Sequence, residues 1–187
     1  MSMNTVPERL AALRAAMKAN GVDVYLIPVG DPHSSEYLPD HYTSLTYFSG
    51  FHGENSNFVV TMTESAVWAD GRYFVQAEKE IAGTEIQLMR MGEPGVPTAE
   101  EYCGKVLPEG GTLGLCGLTA NCALVNNLKK ELESKHGSIK TLFHVLIWHK
   151  ASKNRLFIIS KIPTGNILML SRKAFEKIGR ASCRERV

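Results

Sequence analysis

Up to Trp148 the apolar positions switch repeatedly between helical spacing and short β-branched runs, as in an alternating α/β domain. Thr5, with Glu8 three residues on, forms a capping box. Leu10, Leu13 and Met17 then share one face of a helix that Gly21 ends. Residues 22–29 are an apolar run that predicts a buried strand under that helix. Residues 57–62 and 66–69 predict two strands around the turn Thr63-Glu64-Ser65, and hence a hairpin. Asp70 is placed to cap a helix over 72–82 that buries Phe74, Ala77 and Ile81. A strand over 84–89 follows, and then a second capping box, Thr98 with Glu101, for a helix to Leu107. A strand over 112–116, a helix capped by Thr119 with Leu124, Leu128 and Leu132 on one face, and a strand over 139–148 complete the series.

The crossover helices require parallel strands and the hairpin an antiparallel one. The expected fold is therefore α/β: a three-layer α/β/α domain with a mixed sheet. Residues 30–57 do not fit the alternation. Gly30-Asp31-Pro32-His33 is turn chemistry, and residues 34–42 have room for a short helix interrupted by Pro39. Tyr42, Tyr47, Phe48 and Phe51 read as aromatic anchors of an irregular loop, either packed in the core or partly exposed as an interface. Beyond Trp148, residues 156–162 and 167–170 are candidate strands around a turn at 163–166.

Composition bounds the function. The chain has 187 residues, room for one domain and a fragment of a second. No apolar run is long enough to span a membrane, and the N-terminus lacks a signal-peptide pattern, which favours the cytoplasm. Residues 1–148 carry 11 Lys and Arg against 17 Asp and Glu, whereas residues 149–187 carry 10 against 2. The basic stretch admits a nucleic-acid reading, but residues 179–187 look like translated adaptor sequence, and we expect no nucleic-acid partner. Being charged and without core residues, they are expected to be disordered.

The sequence assembles no recognisable reactive centre. The four cysteines form no metal-binding spacing, and Cys103, Cys116 and Cys122 read as small apolar side chains or free thiols, core packing being the better reading of each. There is no HExxH, GxSxG, GxGxxG or Walker sequence. The tight Asp/His pairs, Asp31 with His33 and Asp40 with His41, offer too few ligands for a metal. No catalytic, cofactor-binding or metal residue is assigned. His33, His41, Tyr47, Phe51, His52 and Arg72 remain candidates for substrate access or an interface. Asp70, Gly71 and Arg72 form a candidate structural motif in which Arg72 pairs with Asp70.

Several separated stretches resemble the N-terminal domain of Xaa-Pro aminopeptidases, in the creatinase/prolidase family. They are Asp31-Pro32-His33-Ser34-Ser35-Glu36-Tyr37-Leu38, Tyr47-Phe48-Ser49-Gly50-Phe51, and Trp68-Ala69-Asp70-Gly71-Arg72-Tyr73-Phe74-Val75-Gln76-Ala77-Glu78. Met89-Arg90-Met91-Gly92-Glu93-Pro94-Gly95 and Leu107-Pro108-Glu109-Gly110-Gly111 continue the likeness. The resemblance implies a ribonuclease-H-like domain over residues 1–148; residues 149–187 diverge from the family, and this basic stretch reads as foreign or frameshifted. It implies a parent enzyme that removes an N-terminal residue preceding proline, using two divalent metals, typically manganese. Their ligands belong to a C-terminal catalytic "pita-bread" domain with no counterpart in these residues. The resemblance assigns the N-terminal domain to substrate access and homodimer contacts, and assigns Asp70, Gly71 and Arg72 to holding that domain together. Gly50-Phe51-His52-Gly53-Glu54-Asn55-Ser56 departs from the family's small-residue loop by gaining charge and bulk. The alternative function is a stand-alone interaction module that pairs with itself or with a full-length peptidase.

Overall fold

Among the described residues, seven strands form one mixed sheet in the order β4-β3-β2-β1-β5-β6-β7. The computed structural model describes residues 5–149 and 154–160. The strands are β1 (Val24–Pro28), β2 (Asn57–Thr61), β3 (Ser65–Ala69), β4 (Ile86–Arg90), β5 (Thr112–Cys116), β6 (Ser138–His149) and β7 (Asn154–Ser160). The helices are α1 (Val6–Ala19), α2 (Ser44–Ser49), α3 (Phe74–Glu80), α4 (Ala99–Val106) and α5 (Cys122–Glu133). Strands β2 and β3 form the expected antiparallel hairpin, while β1 with β5, β3 with β4 and β5 with β6 run parallel.

The sheet separates two cores. On one face Leu10, Leu13 and Met17 of α1, Leu45 and Phe48 of α2, and Ala77 of α3 pack on Tyr25 and Ile27. On the other, Tyr102 and Cys103 of α4 and Leu128 and Leu132 of α5 pack on Val24 and Leu26. Alternate β1 side chains thus enter opposite layers, as a strand buried on both faces requires. The crossovers β3-α3-β4 and β5-α5-β6 travel away from β1 in opposite directions. Right-handed connections then put their helices on opposite faces, giving the three-layer arrangement.

Both expected capping boxes define helix starts. Glu8 Oε2 accepts the Thr5 N–H at 3.1 Å. At α4, Glu101 Oε2 accepts the Thr98 N–H at 2.8 Å while Thr98 Oγ1 accepts the Glu101 N–H at 3.2 Å. The next helix starts later than its sequence indicates. The N–H groups of Thr119 and Ala120 both turn back to Cys116 O, and Asn121 caps α5 by accepting the Leu124 N–H at 2.9 Å. Cys122 consequently occupies the exposed first turn of α5 instead of the core, whereas Cys103 and Cys116 are buried as expected.

The irregular span also differs from expectation. A helix over 34–42 is reduced to one 3₁₀ turn, Asp40–Tyr42. Asp31 Oδ1 accepts the N–H groups of both His33 and Ser35 at 2.9 Å, and Ser34 has φ 52°, so this backbone is committed to a side-chain-capped turn. Residues 44–49 form α2 in place of a loop, with Leu45, Tyr47 and Phe48 buried. Six residues are too few for an isolated helix, so burial of this aromatic face stabilises it. Its end is set by Gly50 at φ 77°. The strand expected over 156–162 is present as β7, paired antiparallel with the outer part of β6. The expected turn at 163–166, strand over 167–170 and charged stretch over 179–187 lie outside the described residues.

Gly114 on β5 faces Tyr25 on β1 in the parallel register. A Cβ there would lie 2.7 Å from Tyr25 Cδ2 and 2.9 Å from Val22 Cγ1. Both neighbours are buried, so neither has solvent to move into. Gly114→Ala is expected to destabilise the domain by roughly 1–3 kcal/mol, read as a lower urea midpoint at an unchanged m-value.

Candidate functional site: a crevice at the sheet edge

The carboxyl ends of β1, β3, β4 and β5 meet at one edge of the sheet, together with the start of β2. Chains leaving β1 and β5 diverge there. The chain after β1 leads to α2 in one outer layer, and the chain after β5 leads to α5 in the other. Such a divergence opens a crevice outside the strand ends, where ligands of open α/β sheets bind. A cavity of about 700 Å³ occupies this place. Three separate segments wall it: residues within 29–46 around Asp31, Asp40 and Tyr42; His52-Gly53-Glu54-Asn55; and Leu118-Thr119-Ala120-Asn121.

The six candidate access residues divide between this edge and the core. His52 lines the cavity, and His33 is an exposed neighbour of its lining residues Pro32 and Ser34. His41 lies in the turn between the lining residues Asp40 and Tyr42. Tyr47 and Phe51 are in the core beneath, at 6% and 0% exposure. Tyr47 meets Phe48 edge-on, with the Arg9 guanidinium 4.6 Å from its ring, and Phe51 meets Tyr73 edge-on. Of the two readings of the aromatic group, core packing holds for Tyr47, Phe48 and Phe51, because each has a protein layer to fill. Arg72 is exposed at the same edge, outside the cavity lining.

Asp70, Gly71 and Arg72 act locally as one unit. Gly71–Tyr73 is a 3₁₀ turn leading into α3, and Asp70 Oδ1 accepts the Arg72 N–H at 2.9 Å. The Arg72 side chain turns back so that Nη2 and Nε donate to the same carboxylate, at 2.8 Å for Nη2 to Oδ2. The guanidinium, then the backbone N–H and then the Asn55 side chain hold the Asp70 pKa down to about 2. The carboxylate in turn raises that of Arg72. Asn55 and Glu54, which accepts the Tyr73 hydroxyl at 3.2 Å, join this unit to the cavity wall.

Asp31, only 7% exposed, is a second carboxylate held by backbone donors. The Ser35 N–H, followed by the Ser35 hydroxyl and the His33 N–H, outweighs desolvation and lowers its pKa. Both carboxylates are therefore occupied by protein donors. Among the described residues no group of three or more His, Cys, Asp and Glu is placed to hold a metal ion. The donor set does not fit a dinuclear metal centre, which needs several uncommitted carboxylates converging on one point. Cys103 has no nucleophilic setting either, since burial pushes its thiol well up. Among the described residues, no helix is long and apolar enough to cross a membrane.

The fold has counterparts. Residues 9–146 match the Creatinase/Prolidase N-terminal domain, and the chain belongs to that family. It is 39% identical over 142 residues to aminopeptidase P2 of Arabidopsis thaliana, and 38% identical over 137 residues to a probable Xaa-Pro aminopeptidase P of Sordaria macrospora. These alignments cover 75% and 73% of this chain but only 20% and 22% of those proteins, so the chain spans about a fifth of the curated relatives. A crystal structure of the X-prolyl aminopeptidase of Caenorhabditis elegans, described as a cytosolic enzyme with a di-nuclear active site, superposes with a TM-score of 0.69 at 29% identity. That superposition covers 75% of this chain and 24% of the nematode chain. The N-terminal domain of peptidase PepQ from Mycobacterium tuberculosis, at 25% identity and a TM-score of 0.52, is covered over 92% of its length. The matched region is the N-terminal, non-catalytic domain of this Xaa-Pro aminopeptidase group.

The Asp70–Arg72 pair is legible in the sequence through its short spacing. Glu80, which accepts the His52 N–H from 28 residues away at 2.8 Å, is not. No local pattern connects those positions.

The depressed Asp70 value makes a pH prediction. A carboxyl with a folded pKa near 2 and an ordinary value of 3.8 stabilises the fold fully above the latter, and loses that contribution as pH falls toward the former. Wild type should therefore lose more thermal stability between pH 4 and pH 2 than Asp70→Asn. Melting temperatures across that interval measure the difference.

Proposed function

We propose that this domain is the access-shaping, non-catalytic portion of a manganese-dependent Xaa-Pro aminopeptidase, whose catalytic portion hydrolyses the bond between an N-terminal residue and proline. The crevice carries the reading. It is a cavity of about 700 Å³ at a sheet edge, lined by His52, and two of its lining carboxylates, Asp31 and Glu54, are already bonded within the protein. Such a site can exclude water, orient a peptide and restrict its approach, but holds no activated nucleophile.

The metals belong to the catalytic portion, where two divalent ions would activate the attacking water. The di-nuclear description of the nematode enzyme supports that division, and its cytosolic description supports a cytoplasmic location. In this reading His52 and Arg72 meet substrate or the catalytic portion, while Tyr47 and Phe51 act indirectly by fixing the backbone beneath them. The natural partners are that catalytic portion, proline-containing peptides and a second copy in a homodimer. The domain boundary falls near residue 148, close to the end of β6.

The test has two parts. This chain alone, supplied with Mn²⁺ and an Xaa-Pro peptide, should release no N-terminal residue, and metal-dependent turnover would refute the assignment. Substituted for the matching domain of the Arabidopsis relative, it should support cleavage. There, His52→Ala or Arg72→Ala should raise KM roughly three- to tenfold with little change in kcat, as loss of uniform binding predicts.

A further inference from the structure

Every residue from Phe51 to Ser56 except Gly53 is tethered from outside the loop or within it. Phe51 is in the core, and its N–H donates to Ser49 Oγ at 3.0 Å. Glu54 accepts from Tyr73, Asn55 is bonded to Asp70, and Ser56 Oγ donates to Glu54 O at 2.8 Å. Ser56 O then accepts the Val29 N–H at 3.0 Å, joining the loop to the chain leaving β1.

The contact at His52 differs in kind. Glu80, the last residue of α3, receives the His52 backbone N–H on Oε2 at 2.8 Å, and its Oε1 lies 3.3 Å from the imidazole Nδ1. Gln76, one helical turn earlier, donates from Nε2 to Oε1 at 3.0 Å and fixes the carboxylate's orientation. Glu80 is only 27% exposed, although His52 is 65% exposed. A partly desolvated carboxylate is thus held by its own helix and presented to a loop main chain. Charge-assisted bonds of this type are about twice as strong as neutral ones.

We propose that Glu80 is a positioning residue, a latch that fixes the His52–Asn55 wall of the cavity from outside it. Glu80 is absent from the lining, so its effect on a ligand passes through the loop. A polar wall keeps one conformation only when its backbone is bonded to a rigid element, and Glu80 supplies that bond from α3. Its consequence for peptide access rests on the function proposed above, whereas its existence does not.

Hydrogen exchange on the full chain tests the latch without a catalytic partner, so its failure is separable from failure of the access reading. Glu80→Ala should speed exchange across residues 52–55 by about tenfold, the effect of losing a charged hydrogen bond to the main chain. Exchange in β1 and β2 should stay within twofold of wild type. Glu80→Gln keeps an acceptor oxygen and should restore most of the protection. If Glu80→Ala does not fold, Glu80→Asp carries the same expectation, because its shorter arm cannot reach His52 while Gln76 holds it. Unchanged exchange at 52–55, or an equal rise throughout the sheet, would overturn the proposal.

Discussion

Burial of β1 on both faces is the constraint on which the molecule depends. Its five residues Val24–Pro28 are all buried, and alternate side chains supply the two cores. It is bonded antiparallel to β2 on one side and parallel to β5 on the other. Once that central position is fixed, the right-handed crossovers assign α3 and α5 to opposite layers. The chain must then part above β1, and the crevice is the geometric result of that parting. Packing on β1 and the location of the crevice are therefore one feature.

This dependence explains which parts of the molecule are legible in its sequence. Period and punctuation are local, and they identify α1, the β2–β3 hairpin, α4 and β5. Thr98 with Glu101 predicts α4 because its reciprocal bonds join residues three apart. Helix α2 escapes such reading because its support is tertiary: Tyr47 and Phe48 are stabilised by a core that no six-residue window contains. Asn121 is similarly hidden, since the turn from Cys116 consumes Thr119 before it can cap. The cavity is less legible still. Its lining comes from around residues 30–46, 52–55 and 118–121, which meet only after the strand order is set.

The carboxylates show how similar groups acquire different duties from their surroundings. Asp31 and Asp70 each bond backbone N–H groups two residues ahead, and both pKa values fall, but Asp70 adds the Arg72 guanidinium. Such groups organise backbone and make poor proton acceptors near neutral pH, because a low pKa supplies little driving force for proton abstraction. Glu80 bonds a main chain from a different element and therefore couples a helix to a loop. Cys103 illustrates the reverse effect, for burial holds its thiol in the neutral form. The chemistry available at the sheet edge is positional.

A crevice keeps one shape only where its walls are rigid. Loop entropy opposes that requirement, and long polar side chains add to the cost of ordering. In the segment from His52 to Ser56 main-chain and side-chain polar groups are bonded to the framework, through Glu80, Tyr73 and Asp70. Two of those partners, Tyr73 and Asp70, belong to the turn that starts α3, and the third ends that helix. Helix α3 therefore clamps the loop from both of its ends, and Ala77 on its inner face anchors it to the β1 core. Mechanical continuity runs from the buried strand through α3 to the cavity wall, so the same hydrophobic packing that stabilises the fold also sets the shape of its crevice.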